Sequence, residues 1–167
     1  MHIRRAEAAD EEALARIRRR AILGLAVPAI SIEQAEQWAA HVAADRIARA
    51  IREHDVWVAV EGVVIGWVEV DRDRIAALYV SPSCSRRGVG SVLLAHAETH
   101  IWNSGYATAR LESSPNALDF YLRRGYVCCG PPDADGATPL RKELAAGGPN
   151  RPPTTPRQRW TLPEQPS

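Results

Sequence analysis

The residues best placed to do chemistry lie between Ile75 and Ser91, where an apolar run, IAALYV, passes through SPSCSRR into GVGS. The pattern reads as a strand, a loop and the start of a helix. The first N–H groups of a helix have no internal partners, and the helix dipole favours negative charge there. Gly88 and Gly90 lack the Cβ that would hold a phosphate away from those donors, and Arg86 and Arg87 can add charge-assisted contacts. The chemistry indicated is diphosphate binding. No Gly-Lys-Ser/Thr follows, so this is not a Walker A loop, and the three-glycine dinucleotide fingerprint is missing. A glycine pair at a helix start is, by itself, as readily a packing feature.

A second cluster follows at Asn116–Tyr126, NALDFYLRRGY. Tyr121 offers a phenol and Asn116 an amide, although Tyr121 can equally pack a short helix onto a sheet and Asn116 can serve helix-start chemistry. His96 and His100 stand one helical turn apart with no third ligand in view, which reads as a helix-boundary pair. Cys84 lies in the loop without a base to activate it. The strand Ile75–Val80 carries no carboxylate. Glu69, on a strand face with Trp67, could reach a cleft through water but is rather expected to be a solvated edge residue, so no general base is assigned.

The elements that must position these groups follow from periodicity. His2–Arg5 reads as a strand, and Asp10 as the N-cap of a helix carrying Leu14, Ile17 and Ala21 towards Gly24. Ser31 and Gln34 have capping-box spacing before an apolar stripe of Ile32, Ala35, Trp38, Ala39 and Val42. Ile47 and Ile51 mark a further helical stretch. The period then changes: Val56–Val60, a Glu61-Gly62 turn and Val63–Val70 predict a hairpin, followed by Ile75–Val80. A helix is predicted from Gly88 to about Asn103, a strand over Ala107–Leu111 and a short helix over Pro115–Arg124. Strands are predicted again over Tyr126–Cys129 and Ala137–Leu144.

A chain of 167 residues supports one domain with a proper core. Its 46% hydrophobic and 25% charged residues are ordinary for a globular protein. A net charge of +1 makes no global case for a nucleic-acid or membrane partner. The uncharged stretch Ala21–Ile32 is too short to span a bilayer. Cys84, Cys128 and Cys129 are expected to be reduced thiols in a cytoplasmic protein. Residues 1–144 are read as the domain. Residues 145–167, interrupted by Pro149, Pro152, Pro153, Pro156, Pro163 and Pro166, are read as a disordered or extended tail in which Trp160 and Leu162 stand out.

The two clusters, in this order and at this separation, resemble the GCN5-related N-acetyltransferase family. That family's cofactor motif is Gln/Arg-x-x-Gly-x-Gly/Ala, three residues after a proline that ends the fourth strand. Pro82, Gly88 and Gly90 fall in register, while Ser85 stands where Gln or Arg is usual. Asn116, Phe120, Tyr121, Gly125 and Tyr126 match the second motif. The resemblance implies an α+β fold with a mixed, mostly antiparallel sheet flanked by helices and splayed central strands. It implies that Leu78, Tyr79 and Val80 edge a slot for the pantetheine arm of acetyl-CoA. Ser85 would supply a backbone N–H, and Arg86, Arg87, Gly88, Val89, Gly90 and Ser91 would cradle the pyrophosphate, with Asn116 as a further cofactor contact. Tyr121 takes the place of the acid that protonates the leaving thiolate. The implied reaction is transfer of acetyl to a primary amine of a small molecule or protein, without a metal, by a monomer or homodimer. Two other functions stay open: an acyl-CoA-binding module without turnover, and an interaction module using the tail together with the arginine run Ile17–Arg20, which otherwise reads as a solvated helix face.

Overall fold

The computed structural model describes residues 1–26 and 45–144. The capping-box segment with its stripe at Ile32–Val42, and the proline-rich segment from residue 145 onward, lie outside the described residues. Seven strands form one sheet in the order β1-β2-β3-β4-β5-β7-β6. They are β1 His2–Arg5, β2 Asp55–Glu61, β3 Val63–Asp71, β4 Arg74–Val80, β5 Thr108–Ser113, β6 Val127–Cys128 and β7 Thr138–Glu143. Among the described residues the helices are α1 Glu11–Ala21, α2 Arg46–Glu53, α3 Val89–Asn103 and α4 Leu118–Leu122. A π-helical turn, Ile22–Ala26, continues α1. All strand pairs are antiparallel except β4 with β5, so the sheet is mixed and mostly antiparallel, as expected.

Period-two alternation gives the sheet two apolar faces. On one, Leu14 and Ile17 of α1 and Ile47 and Ala50 of α2 pack on Val56, Val58 and Trp67. On the other, Leu93, Leu94, Ala97 and Ile101 of α3 pack with Val68, Val70, Ala109, Leu111 and Leu140, and Tyr121 and Tyr126 join them. Each fully buried Leu or Ile contributes about 1.5–3 kcal/mol relative to its exposed state. Gly66 sets the distance between α3 and β3. A Cβ there would stand 3.0 Å from both the Leu93 side chain and the Tyr79 carbonyl, so a larger residue would push the helix off the sheet.

The strand pair that matters most is the one least bonded. β4 follows β3 from Asp71↔Arg74 to Gly66↔Val80, and β5 follows β7 along its whole length. β4 and β5 meet only at Arg74↔Arg110. Beyond that position they part, giving the splayed central strands implied by the resemblance.

Asp10 does not cap α1. Its backbone is helical and its side chain makes no cap bond. Instead the buried carboxylate accepts both Arg4 guanidinium nitrogens, at 2.7 and 2.9 Å, and the Glu7 N–H at 2.8 Å. A forked cation was a better partner than the helix start, and the pairing ties the end of β1 to α1. The Arg4 bond holds the Asp10 carboxyl below the usual carboxylate range. A depressed folded value means the contribution is present above the ordinary carboxylate pKa of about 3.9 and lost as pH falls through the folded value. Asp10→Asn should therefore lower stability by about 1–2 kcal/mol at pH 7, with the gap to the parent closing below about pH 3, as read from thermal melts across pH.

Candidate functional site

The chain leaves β4 at Val80 and turns through Ser81-Pro82. A 3₁₀ turn, Pro82–Cys84, follows, in which the Cys84 N–H donates to the Ser81 carbonyl at 2.8 Å. Two residues then adopt left-handed backbone, Arg86 at φ 62° and Gly88 at φ 84°. For arginine this costs about 1–2 kcal/mol, and such strain gathers at ligand sites. These bends bring the chain into α3 at Val89. The first ladder bond of the helix is from the Val92 N–H to the Gly88 carbonyl at 3.1 Å, so the N–H groups of Val89, Gly90 and Ser91 precede the ladder. A Cβ built on Gly88 would meet nothing within 4 Å: the space before the helix start is open.

That space belongs to a cleft of about 720 Å³. One wall is the free edge of β4 at Leu78, Tyr79 and Val80. The floor is Ser85, Arg86, Gly88, Gly90 and Ser91, and the far wall is Asn116, Phe120, Tyr121, Arg123 and Arg124. Ala21 and Ile22, at the end of α1, line it from the other side of the sheet. From the apolar stretch Ala21–Ile32, the part beyond residue 26 lies outside the described residues.

Among the predicted site residues, Arg87 and Val89 do not line the cleft. The Val89 side chain is buried in the core, leaving only its backbone towards the helix start. Arg87 donates to Glu61 at 2.8 Å and lies 3.6 Å from the Cys84 sulfur, because the β2–β3 turn brings a carboxylate within its reach. The Ser85 N–H is also engaged, donating to the Pro82 carbonyl at 3.2 Å, so it is not the spare donor that the sequence suggested. Asn116 accepts from the Ser114 hydroxyl at 2.8 Å.

Tyr121 is 7% exposed and packs edge-on against Phe120 and Tyr126, with ring centres 5.0 and 5.6 Å away. Burial pushes its hydroxyl well above the ordinary phenol range; Tyr79 adds to this and the Arg124 charge works the other way. The group stays protonated through the neutral range.

Glu69 is not a solvated edge residue. It is 1% exposed, with Arg46 of α2 at 2.7 Å and His54 Nδ1 at 2.6 Å from its two oxygens. Helix α2, arriving from 23 residues earlier in the chain, supplies the cation that makes the burial tolerable. Glu69 does not line the cleft, and neither does any other carboxylate or histidine among the described residues. His96 and His100 lie in α3 against Trp57, with ring centres at 4.4 and 5.7 Å, and His100 is 2.8 Å from Asp55. Among the described residues no set of three His, Cys, Asp or Glu is arranged to hold a metal.

Sequence reasoning missed Arg124. Its guanidinium lies 3.7 Å over the Phe120 ring and donates to the Phe120 carbonyl at 2.8 Å and to the Ser91 hydroxyl. The signal was present in the Arg-Arg before Gly125, but nothing local gives the direction of either side chain. The assembled groups can hold an anion at the helix start, satisfy an extended amide-bearing arm along β4, and offer a proton from a buried phenol.

A family profile described as an acetyltransferase (GNAT) domain matches residues 26–139. Among solved structures, a GCN5-related N-acetyltransferase from Rhodopseudomonas palustris is similar at 26% identity and a TM-score of 0.81, over 86% of this chain and 95% of that one. The PaiA N-acetyltransferase of Thermoplasma acidophilum, solved with coenzyme A, shares the fold at 20% identity and a TM-score of 0.73, over 85% and 98% of the two chains. YncA of Salmonella typhimurium, solved with acetyl-CoA, shares it at 20% identity and 0.61, over 93% and 99%. No curated protein matches the chain by sequence.

The Glu69 cluster yields a stability prediction. Arg46→Gln removes the cation from a buried carboxylate and should cost about 2–3 kcal/mol in denaturant melts. Glu69→Gln should cost less, because the partly exposed Arg46 can turn to water.

Proposed function

The chain belongs to the GNAT acetyltransferase family, and from that premise we propose that it moves an acetyl group from acetyl-CoA to a primary amine of a small molecule or protein by direct attack. The observation that carries this reading is the parting of β4 and β5 beyond Arg74↔Arg110, with the start of α3 beneath the gap. Parted strands leave main-chain groups without sheet partners, which suits an arm containing amides. Leu78, Tyr79 and Val80 are proposed to edge that arm. The N–H groups of Gly88, Val89, Gly90 and Ser91 are proposed to take the diphosphate, with Arg86 facing it; Asn116 stands on the far wall as a further contact.

Bound there, acetyl-CoA supplies a thioester open to attack by a neutral amine. A free lysine-type amine has a pKa near 10.4, so the acceptor must shed a proton, and with no base lining the cleft among the described residues we assign that proton to water. Tyr121 holds a proton at its hydroxyl towards the leaving sulfur. Its raised pKa decides how it acts. A thiol with a pKa of about 8.5 is a stronger acid than a phenol above 10, so full transfer in advance would be uphill by at least ~2 kcal/mol. Tyr121 therefore stabilises the sulfur by hydrogen bonding as charge develops. The three cysteines are free, which suits a reducing, cytoplasmic setting.

The test is thiol release from acetyl-CoA against a panel of amines. Release with an acetylated product supports the reading, and tight CoA binding with no release on any acceptor would instead favour a binding module. Tyr121→Phe should keep CoA affinity and slow transfer about 100-fold. Since the phenol does not titrate below about pH 10, the factor should be the same from pH 6 to pH 9; a loss that varied across that range, or no loss, would return Tyr121 to a packing role. Gly88→Glu should abolish CoA binding in calorimetry, because it forces a side chain into left-handed backbone and puts a carboxylate into the open space before α3.

A further inference from the structure

We propose that Arg124 is a side-chain ligand of the cosubstrate's diphosphate, positioned in advance across the start of α3; the inference rests on the acetyl-CoA reading above. The guanidinium reaches back 33 residues to donate to Ser91, the third residue of α3, and 4 residues to donate to the Phe120 carbonyl at 2.8 Å, while its central carbon lies 3.7 Å from the centre of the Phe120 ring. All three contacts are with uncharged groups. No carboxylate among the described residues forms an ion pair with it, whereas Arg46, Arg87 and Arg110 each have one.

This placement is electrostatically wrong for the protein alone. The start of a helix carries partial positive charge, and a cation there is unfavourable unless an anion shares the position. Arg124 brings a full positive charge to that end of α3 and lines the same cleft as Gly88 and Gly90. A diphosphate in the open space before the helix would meet the helix N–H groups and this guanidinium together. The three contacts also remove rotamer freedom before binding, so less entropy is lost when the ligand arrives.

The alternatives around the loop are weaker. Arg87 is turned to Glu61, and Ser85, where the family motif has a long donor, has a short side chain and an engaged N–H. Arg123 is exposed, with Asp119 4.0 Å away. Arg124 thus adds, from just beyond α4, a second charged contact to the one proposed for Arg86 of the loop.

The experiment is calorimetry with CoA, dephospho-CoA and acetyl-pantetheine on the full chain and on Arg124→Ala and Arg124→Gln. Glutamine keeps a donor for Ser91 and the Phe120 carbonyl but removes the charge, so it separates ligation from packing and serves if the alanine variant does not fold. The expected result is a loss of about 10- to 100-fold for both CoA and dephospho-CoA, in both variants, with acetyl-pantetheine unchanged. Parent-like CoA affinity in Arg124→Gln would overturn the proposal and leave Arg124 as a clamp. A loss seen with CoA but not dephospho-CoA would overturn it in favour of the 3′-phosphate. If the parent chain binds no CoA, the acetyl-CoA reading itself falls.

Discussion

The structure depends on two neighbouring strands being satisfied elsewhere. β4 is bonded to β3 through Val80, and β5 is bonded to β7 from Thr108↔Glu143 to Ser113↔Thr138, so each has a full ladder on its outer side. Their shared position, Arg74↔Arg110, is enough to place them in one sheet and too little to hold them together along their length. A parallel pair needs a crossover, and α3 is that crossover. The helix must begin where β4 ends, at the wide end of the gap. Connectivity alone therefore brings unpaired strand edge and unpaired helix N–H groups to one place, and Gly66 lets α3 lie close enough to β3 to keep them there.

Charge then decides what that place will accept. The chain is nearly neutral overall, at +1, but its cations are unevenly matched. Arg4 is forked onto Asp10, while Arg46 pairs with Glu69, Arg110 with Asp73 and Lys142 with Glu98. The cleft is lined by Arg86, Arg123 and Arg124, with no carboxylate in its walls among the described residues. Net charge is blind to this arrangement. A local excess of positive charge beside a helix start favours anions at short range, where salt screens least.

Where periodicity alone determines an element, the sequence was easily read. The strand at His2–Arg5 and the hairpin turning at Glu61-Gly62 follow from alternation and turn chemistry, and both are present as expected. The loop Pro82–Gly90 was legible because glycine and proline constrain the backbone directly. Long polar side chains were not legible, since their directions depend on partners far along the chain: Glu69 on Arg46, 23 residues away, Arg87 on Glu61, 26 away, and Arg124 on Ser91, 33 away. Asp10 shows the same limit at short range. Its N-cap reading was sound local chemistry, and it lost to an arginine that the β1–α1 turn brings within reach.

Helix α4 shows how closely binding and chemistry are joined. At five residues, Leu118–Leu122, it is far too short to persist alone in water. It is held through side chains: Tyr121 wedged between Phe120 and Tyr126, and Arg124 bonded to the Phe120 carbonyl while reaching across to Ser91. The proposed proton donor, in α4, and the proposed phosphate ligand, two residues past its end, are therefore three residues apart in the chain, and the Arg124 charge is felt at the Tyr121 hydroxyl. An anion drawn to the start of α3 would strengthen the Arg124 bridge and steady the helix that carries Tyr121. On these proposed roles the phenol is best placed when the cosubstrate is present, a coupling that would follow from the shortness of the helix.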